Sequence, residues 1–67
     1  MDWRKRLGAN IFDFRRRRRW SQQALAGESG LSLRYLAGVE RGEENPSLDT
    51  IVAIAEALDI GPADLLR

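Results

Sequence analysis

Residues 22–41 read QQALAGESGLSLRYLAGVER, and the spacing of small and apolar side chains in this stretch decides the fold. Counting from Gln22, the fifth residue is Ala26, the ninth Gly30, the fifteenth Leu36 and the eighteenth Val39. Two short helices that cross at about 90–120° need a small side chain where they approach and a glycine in the turn between them. Ala26 and Gly30 stand at those two places, and Leu25, Leu36 and Val39 can close a small core beneath the crossing. The outer face of the second helix is then left free to meet something else.

On the upstream side, Leu7, Ile11 and Phe14 recur at spacings of four and three, with Trp3 one turn earlier. This is the stripe of an amphipathic first helix, predicted near residues 3–18. Ser21 and Ser32 are good N-caps for a second helix over 22–28 and a third over 33–40, and Gly42 is well placed to end the third. GEENPS reads as a loop. Ser47 caps a fourth helix running through Leu48, Ile51, Ile54, Ala55 and Leu58, and Gly61-Pro62 supplies the cap and first turn of a short fifth helix. No segment alternates like a strand. The expected fold class is all-α, five helices in one domain over residues 1–67.

A chain of 67 residues has a marginal core unless it is compactly packed, oligomeric or stapled. It contains no cysteine and no histidine, which excludes disulfides and removes the usual ligands of a structural zinc. The same absence leaves no obvious base and nucleophile, and the carboxylates read as helix-surface and capping residues, so neither an enzyme nor a cofactor is expected. No apolar run approaches the roughly 18 residues of a membrane span, and Met1-Asp2-Trp3-Arg4 is no signal peptide; the expectation is a cytoplasmic protein.

The net charge of +1 conceals an asymmetry. Residues 1–20 carry eight basic side chains against two acidic, a net of +6, and the rest carry three against eight, a net of −5. Charge divided in this way suits a polyanion that meets one face.

The stretch from Gln22 to Arg41 resembles the helix-turn-helix of the XRE-type family, which includes Cro and the lambda-type phage repressors. Upstream, LGANIFDFRRRRRWSQ from Leu7 to Gln22 is similar to the family's first helix and the approach to its second. Downstream, RGEENPSLDTIVAIAEALDI from Arg41 to Ile60 resembles its loop and fourth helix. The likeness runs from Leu7 to Leu66. It implies a lambda-repressor-like domain with the helix-turn-helix at helices two and three, acting as a sequence-specific regulator of transcription. The implied partner is double-stranded DNA, bound by a homodimer on a two-fold symmetric operator. Ile60, Leu65 and Leu66 are candidates for the dimer interface or, equally, for core cover. With no ligand-binding domain following, control is expected to come from the protein's own concentration, as in restriction-modification controllers and small phage regulators. The second reading is an antitoxin or adaptor that binds a partner protein, such as a toxin or a polymerase subunit, and touches DNA weakly. It draws on the acidic surface from Glu43 onward and on the missing polar side chain at Gly38.

A major groove admits one helix, read by the N-terminal part of the third, Ser32-Leu33-Arg34-Tyr35. Arg34 can form a bidentate pair with guanine, Leu33 offers apolar contact to a thymine methyl group, and Tyr35 can reach a phosphate or pack on a sugar. The plainer reading of Arg34 and Tyr35 is that they are solvated surface residues. At Gly38 the family often has a polar side chain; here either specificity is thin or the backbone approaches more closely. By resemblance Gln22 is a phosphate ligand, with Ser32 and Arg41 as further candidates at helix ends. Ser32 also reads simply as a cap. Asn45 can bond a phosphate from the loop or serve as a turn former.

The five arginines from Arg15 to Arg19 point all round a helix axis and cannot share one role. The resemblance implies an inward ion pair between Arg15 and Glu40 that ties the first helix to the third. Arg16 and Arg19 are assigned to phosphates, against the alternative of a solvated helix end favoured by the dipole. Several positions depart from the family. Arg19 and Asp59 stand where glycine is usual, Ser29 where an apolar residue is usual, and Glu43 and Glu44 where the loop is often basic, so that this loop should repel phosphate.

Overall fold

A computed structural model describes residues 2–67 and consists of four α-helices and one 3-10 helix, with no strand among the described residues. The helices are α1 (Trp3–Arg17), α2 (Gln22–Ser29), α3 (Leu33–Glu40) and α4 (Leu48–Ala57), followed by the 3-10 segment Pro62–Leu66. The expected fifth α-helix is therefore corrected to a 3-10 helix. The segment is five residues long, too short for a run of α-helical bonds, and its first turn closes with the tighter bond from Asp64 N–H to Gly61 C=O at 3.0 Å.

Each helix starts where a short polar side chain can take an orphan N–H. Asp2 caps α1 through Arg4 N–H at 3.1 Å. Ser21, Ser32 and Ser47 cap α2, α3 and α4 through the N–H groups of Ala24, Tyr35 and Thr50, at 3.0, 3.0 and 3.2 Å. All four connections pass through left-handed backbone: Arg19 after α1 (φ 59), Gly30 after α2 (φ 74), Gly42 after α3 (φ 77) and Asp59 after α4 (φ 57). Gly30 adopts this conformation without strain, whereas Arg19 and Asp59 carry the penalty of a Cβ. At both, the next N–H returns to the helix, Trp20 to Arg15 C=O at 3.1 Å and Ile60 to Ala55 C=O at 3.0 Å. These bonds offset part of the strain.

The core is one cluster: Leu7 and Ile11 from α1, Leu25 and Ala26 from α2, Leu36 and Val39 from α3, Ile51, Ile54 and Ala55 from α4, then Leu58 and Leu65. Every apolar residue assigned to the helix crossing lies in it. One expectation, for Trp3, is corrected. Trp3 is 53 % exposed rather than part of the buried stripe, and Leu48 is 68 % exposed at the start of α4. Both sit in the first turn of a helix, beyond the reach of neighbouring elements. Leu65 is completely buried and belongs to the core, so of the C-terminal apolar residues only Leu66 is exposed and Ile60 half-buried. Ser29, at a position where the family has an apolar residue, is accommodated because its hydroxyl donates to Leu25 C=O at 2.6 Å.

Gly8 has a role that the hydrophobic pattern does not reveal. It is buried in α1 against the end of α3, and a Cβ there would overlap the carbonyl oxygens of Val39 and Glu40. Backbone cannot swing aside as a flexible side chain does, so α1 and α3 approach this closely only over glycine. Gly27 is the opposite case, since a Cβ there would meet nothing within 4 Å.

Gly8→Ala is expected to lower stability by about 1–3 kcal/mol through overpacking. Gly27→Ala should raise it by about 1 kcal/mol through helix propensity. Urea titrations of the two variants check both signs; equal effects would contradict the packing at Gly8.

Candidate nucleic-acid interface

At about 100° per residue, α3 divides into two faces. Leu36 and Val39 point into the core and Glu40 toward α1, while Arg34 and Arg41 are exposed on the opposite side and Leu33 is exposed at the start of the helix. Leu33 is 47 % exposed as the first residue of α3. Tyr35 lies at the flank, half-buried and packed against the core. The assigned base readers thus separate: Leu33 and Arg34 are exposed, and Tyr35 is half-buried against the core.

What holds this helix is a buried ion pair. Arg15 continues the α1 stripe one turn beyond Ile11, and its guanidinium meets Glu40 through two bonds, Nε to Oε2 at 2.8 Å and Nη2 to Oε1 at 2.9 Å. Its remaining Nη1 donates to Trp20 C=O at 2.8 Å. Side-chain exposures of 8 % and 4 % place the pair in low dielectric, where an unpaired charge would be costly. No buried side-chain donor or acceptor among the described residues is left without a partner.

Gln22 joins the same cluster, its Nε2 donating to Glu40 Oε1 at 3.0 Å. One amide hydrogen is thereby directed inward. This link was absent from the sequence reading, since an interaction across eighteen residues leaves no local trace. Ser32 is engaged as the cap of α3, so its hydroxyl accepts from Tyr35 N–H and has only its own hydrogen to offer outward.

Arg41 pairs with Glu43 at 3.1 Å on the surface. The hydrogen bond to Arg41, and secondarily its charge, holds the Glu43 carboxyl below the usual carboxylate range, and Glu43 raises Arg41 in turn. A phosphate at Arg41 would have to displace this carboxylate. Asn45 is exposed in the same loop, next to the buried Pro46.

The remaining arginines diverge as helical spacing requires. Arg16 lies over the Phe12 ring at 5.3 Å from its centroid, Arg17 over Phe14 at 4.9 Å and Arg18 over Trp20 at 4.5 Å. Arg18 also donates to Leu58 C=O at 3.2 Å, which fastens the end of α1 to the end of α4. Arg16 and Arg19 are exposed at the C-terminal end of α1, where cations are favoured by the helix dipole.

The sequence profile that describes the helix-turn-helix family matches residues 11–65. The chain belongs to this helix-turn-helix family, of XRE type. Among its members, the control protein C.SmaI of Serratia marcescens is 38 % identical over 66 residues, covering 98 % of this chain and 79 % of that protein. The HTH-type transcriptional regulator y4dJ of Sinorhizobium fredii is 36 % identical over 66 residues, covering 98 % and 86 %. Among solved structures, the restriction-modification controller protein C.AhdI from Aeromonas hydrophila superposes with a TM-score of 0.90 at 42 % identity, covering 92 % of this chain and 94 % of that one. The family's two-helix unit corresponds here to α2 and α3, joined through Gly30. No helix among the described residues is long and apolar enough to cross a membrane.

Replacing Glu40 by leucine leaves Arg15 buried and unpaired, and is expected to cost about 3–5 kcal/mol. Adding Arg15→Met should recover most of that loss. Urea titration of the single and double variants measures both; a single variant within 1 kcal/mol of the parent would contradict the buried pair.

Proposed function

We propose that this protein is a cytoplasmic, sequence-specific regulator of transcription that binds double-stranded DNA as a homodimer, with α3 of each protomer in the major groove. The observation that carries the reading is the outward position of Arg34 on a helix whose inner face is locked by Leu36, Val39 and the Arg15–Glu40 pair. A guanidinium held on a rigid element can meet guanine O6 and N7 in a fixed geometry. Family membership and the names of the relatives, which include transcriptional regulators and restriction-modification controllers, support the same conclusion.

Within this reading Arg34 reads a guanine, Leu33 packs on a thymine methyl group, and Tyr35 meets sugar or phosphate from the flank. Gln22 and Ser32 bond phosphates at the starts of α2 and α3, where helix N-termini favour anions. Arg41 reaches a phosphate after leaving Glu43, Arg16 and Arg19 add charge from the end of α1, and Asn45 contributes from the loop. A single α3 presents few base readers, so two half-sites about one helical turn apart supply the remaining specificity. The exposed Leu66 and half-buried Ile60 are the C-terminal residues available for the contact between protomers.

Binding to duplex DNA should weaken with salt, log K falling against log salt with a slope near −0.9 for each phosphate neutralised, and Arg41→Ala should reduce that slope by about 1. Arg34→Ala should cost about 1–3 kcal/mol on the selected site and relax specificity at one base position. Fluorescence-anisotropy titrations across salt concentrations measure each quantity. A flat slope, or equal affinity for selected and random duplexes in the unmodified protein, would overturn the reading.

A further inference from the structure

Gly38 follows Arg34 by four residues, about 40° round the axis of α3 and one turn further along it, on the side away from the core. A glycine in that place should be open to solvent. It is buried. The cover is the side chain of Glu44: a Cβ built on Gly38 would lie 3.0 Å from Glu44 Cγ and 3.2 Å from its Oε2. The loop is brought there by the bond from Glu43 N–H to Gly38 C=O at 2.9 Å. Glu44 is half-buried, and its carboxylate enters no ion pair or side-chain hydrogen bond among the described residues. The outer face of α3 therefore carries a guanidinium from the helix and, one turn on, a carboxylate supplied by the following loop.

We infer that Glu44 is a specificity-determining residue, its carboxylate accepting a hydrogen bond from the N4 amino group of a cytosine in the major groove, beside the guanine read by Arg34. The inference rests on the reading of α3 as the groove-bound helix. A carboxylate close to a duplex is repelled by phosphate and by most of the groove edge, because guanine N7 and O6, thymine O4 and adenine N7 are all acceptors. The amino groups of cytosine and adenine are the only donors there. Adenine sets its N7 acceptor beside its amino group, and an ionised carboxylate has no hydrogen to offer it, so cytosine is the better match. Four helical residues rise about 6 Å, and base pairs are spaced about 3.4 Å apart. The cytosine accordingly lies one or two base pairs from the Arg34 guanine. Gly38 fits this arrangement because a side chain there would occupy the volume that Glu44 fills. The carboxylate also discriminates by repulsion, since any site that turns an acceptor toward it is disfavoured.

Sequences selected from a random duplex pool by the full chain, by Glu44→Ala, by Glu44→Gln and by Arg34→Ala test the inference, with thermal melting of each variant as the check on folding. The unmodified protein should select a motif in which a cytosine lies one or two base pairs from the guanine whose preference disappears in Arg34→Ala. In Glu44→Ala the guanine should persist while the cytosine preference falls by roughly 5- to 100-fold. In Glu44→Gln the preference at that position should move toward adenine, whose N6 and N7 a carboxamide matches. A Glu44→Ala variant that selects the parental motif at every position, changed only in overall affinity, would overturn the role of Glu44 and leave the DNA-binding reading standing. An unmodified protein that selects no motif would overturn both.

Discussion

The Arg15–Glu40 pair is the constraint on which the arrangement of the other elements depends. A guanidinium and a carboxylate in this setting are both removed from water, and their attraction offsets that desolvation only if every donor and acceptor is matched. Two bonds to Glu40, one to Trp20 C=O and one from Gln22 complete the set. In meeting this requirement the pair brings together the end of α1, the turn that follows it, the start of α2 and the end of α3. Gly8 makes the approach possible, because only a residue without a Cβ lets α1 lie against the carbonyls that end α3. The outer face of α3 inherits its orientation from this inner fixing, and a small core is thereby supplemented by polar bonds of fixed geometry.

The arginine run shows how one repeated residue type is differentiated by its surroundings. Identical side chains at successive helical positions meet different neighbours, so Arg15 becomes structural, Arg16, Arg17 and Arg18 lie over Phe12, Phe14 and Trp20, and Arg16 and Arg19 are exposed at the end of α1. The charge asymmetry of the chain is accordingly not a count of ligands. One of the five charges is neutralised inside the protein, and a second, Arg18, is partly engaged with Leu58 C=O. Those at the helix end stay in solvent, where the helix dipole favours a cation.

Much of the fold was legible because it is encoded in short-range patterns. The serine caps before α2, α3 and α4 and the glycine after α2 act within four residues of their own positions, and the boundaries drawn from them agree with the structure to within one residue. The residues assigned to the helix crossing are buried, since helical spacing puts Leu36 and Val39 on one side of α3 and the turn at Gly30 folds that side toward Ala26. Trp3 was misplaced because periodicity gives the side of a helix but not whether another element reaches its first turn. The fifth helix became 3-10 because so short a segment favours the tighter bond.

The sequence by itself thus determined the helices, their caps and the outward face of α3, all of which follow from interactions between residues a few positions apart. The Arg15–Glu40 pair was legible only through resemblance to a family, and its bond geometry required the folded chain. Tertiary structure alone decided that Gly8 is a point of backbone contact, that Gln22 turns one amide hydrogen toward Glu40, and that Glu44 lies over Gly38. Each of these joins positions whose separation in the chain says nothing about their distance in space. In one stretch of sequence, Gly38 reads as a gap in the recognition helix; in three dimensions a loop carboxylate fills it.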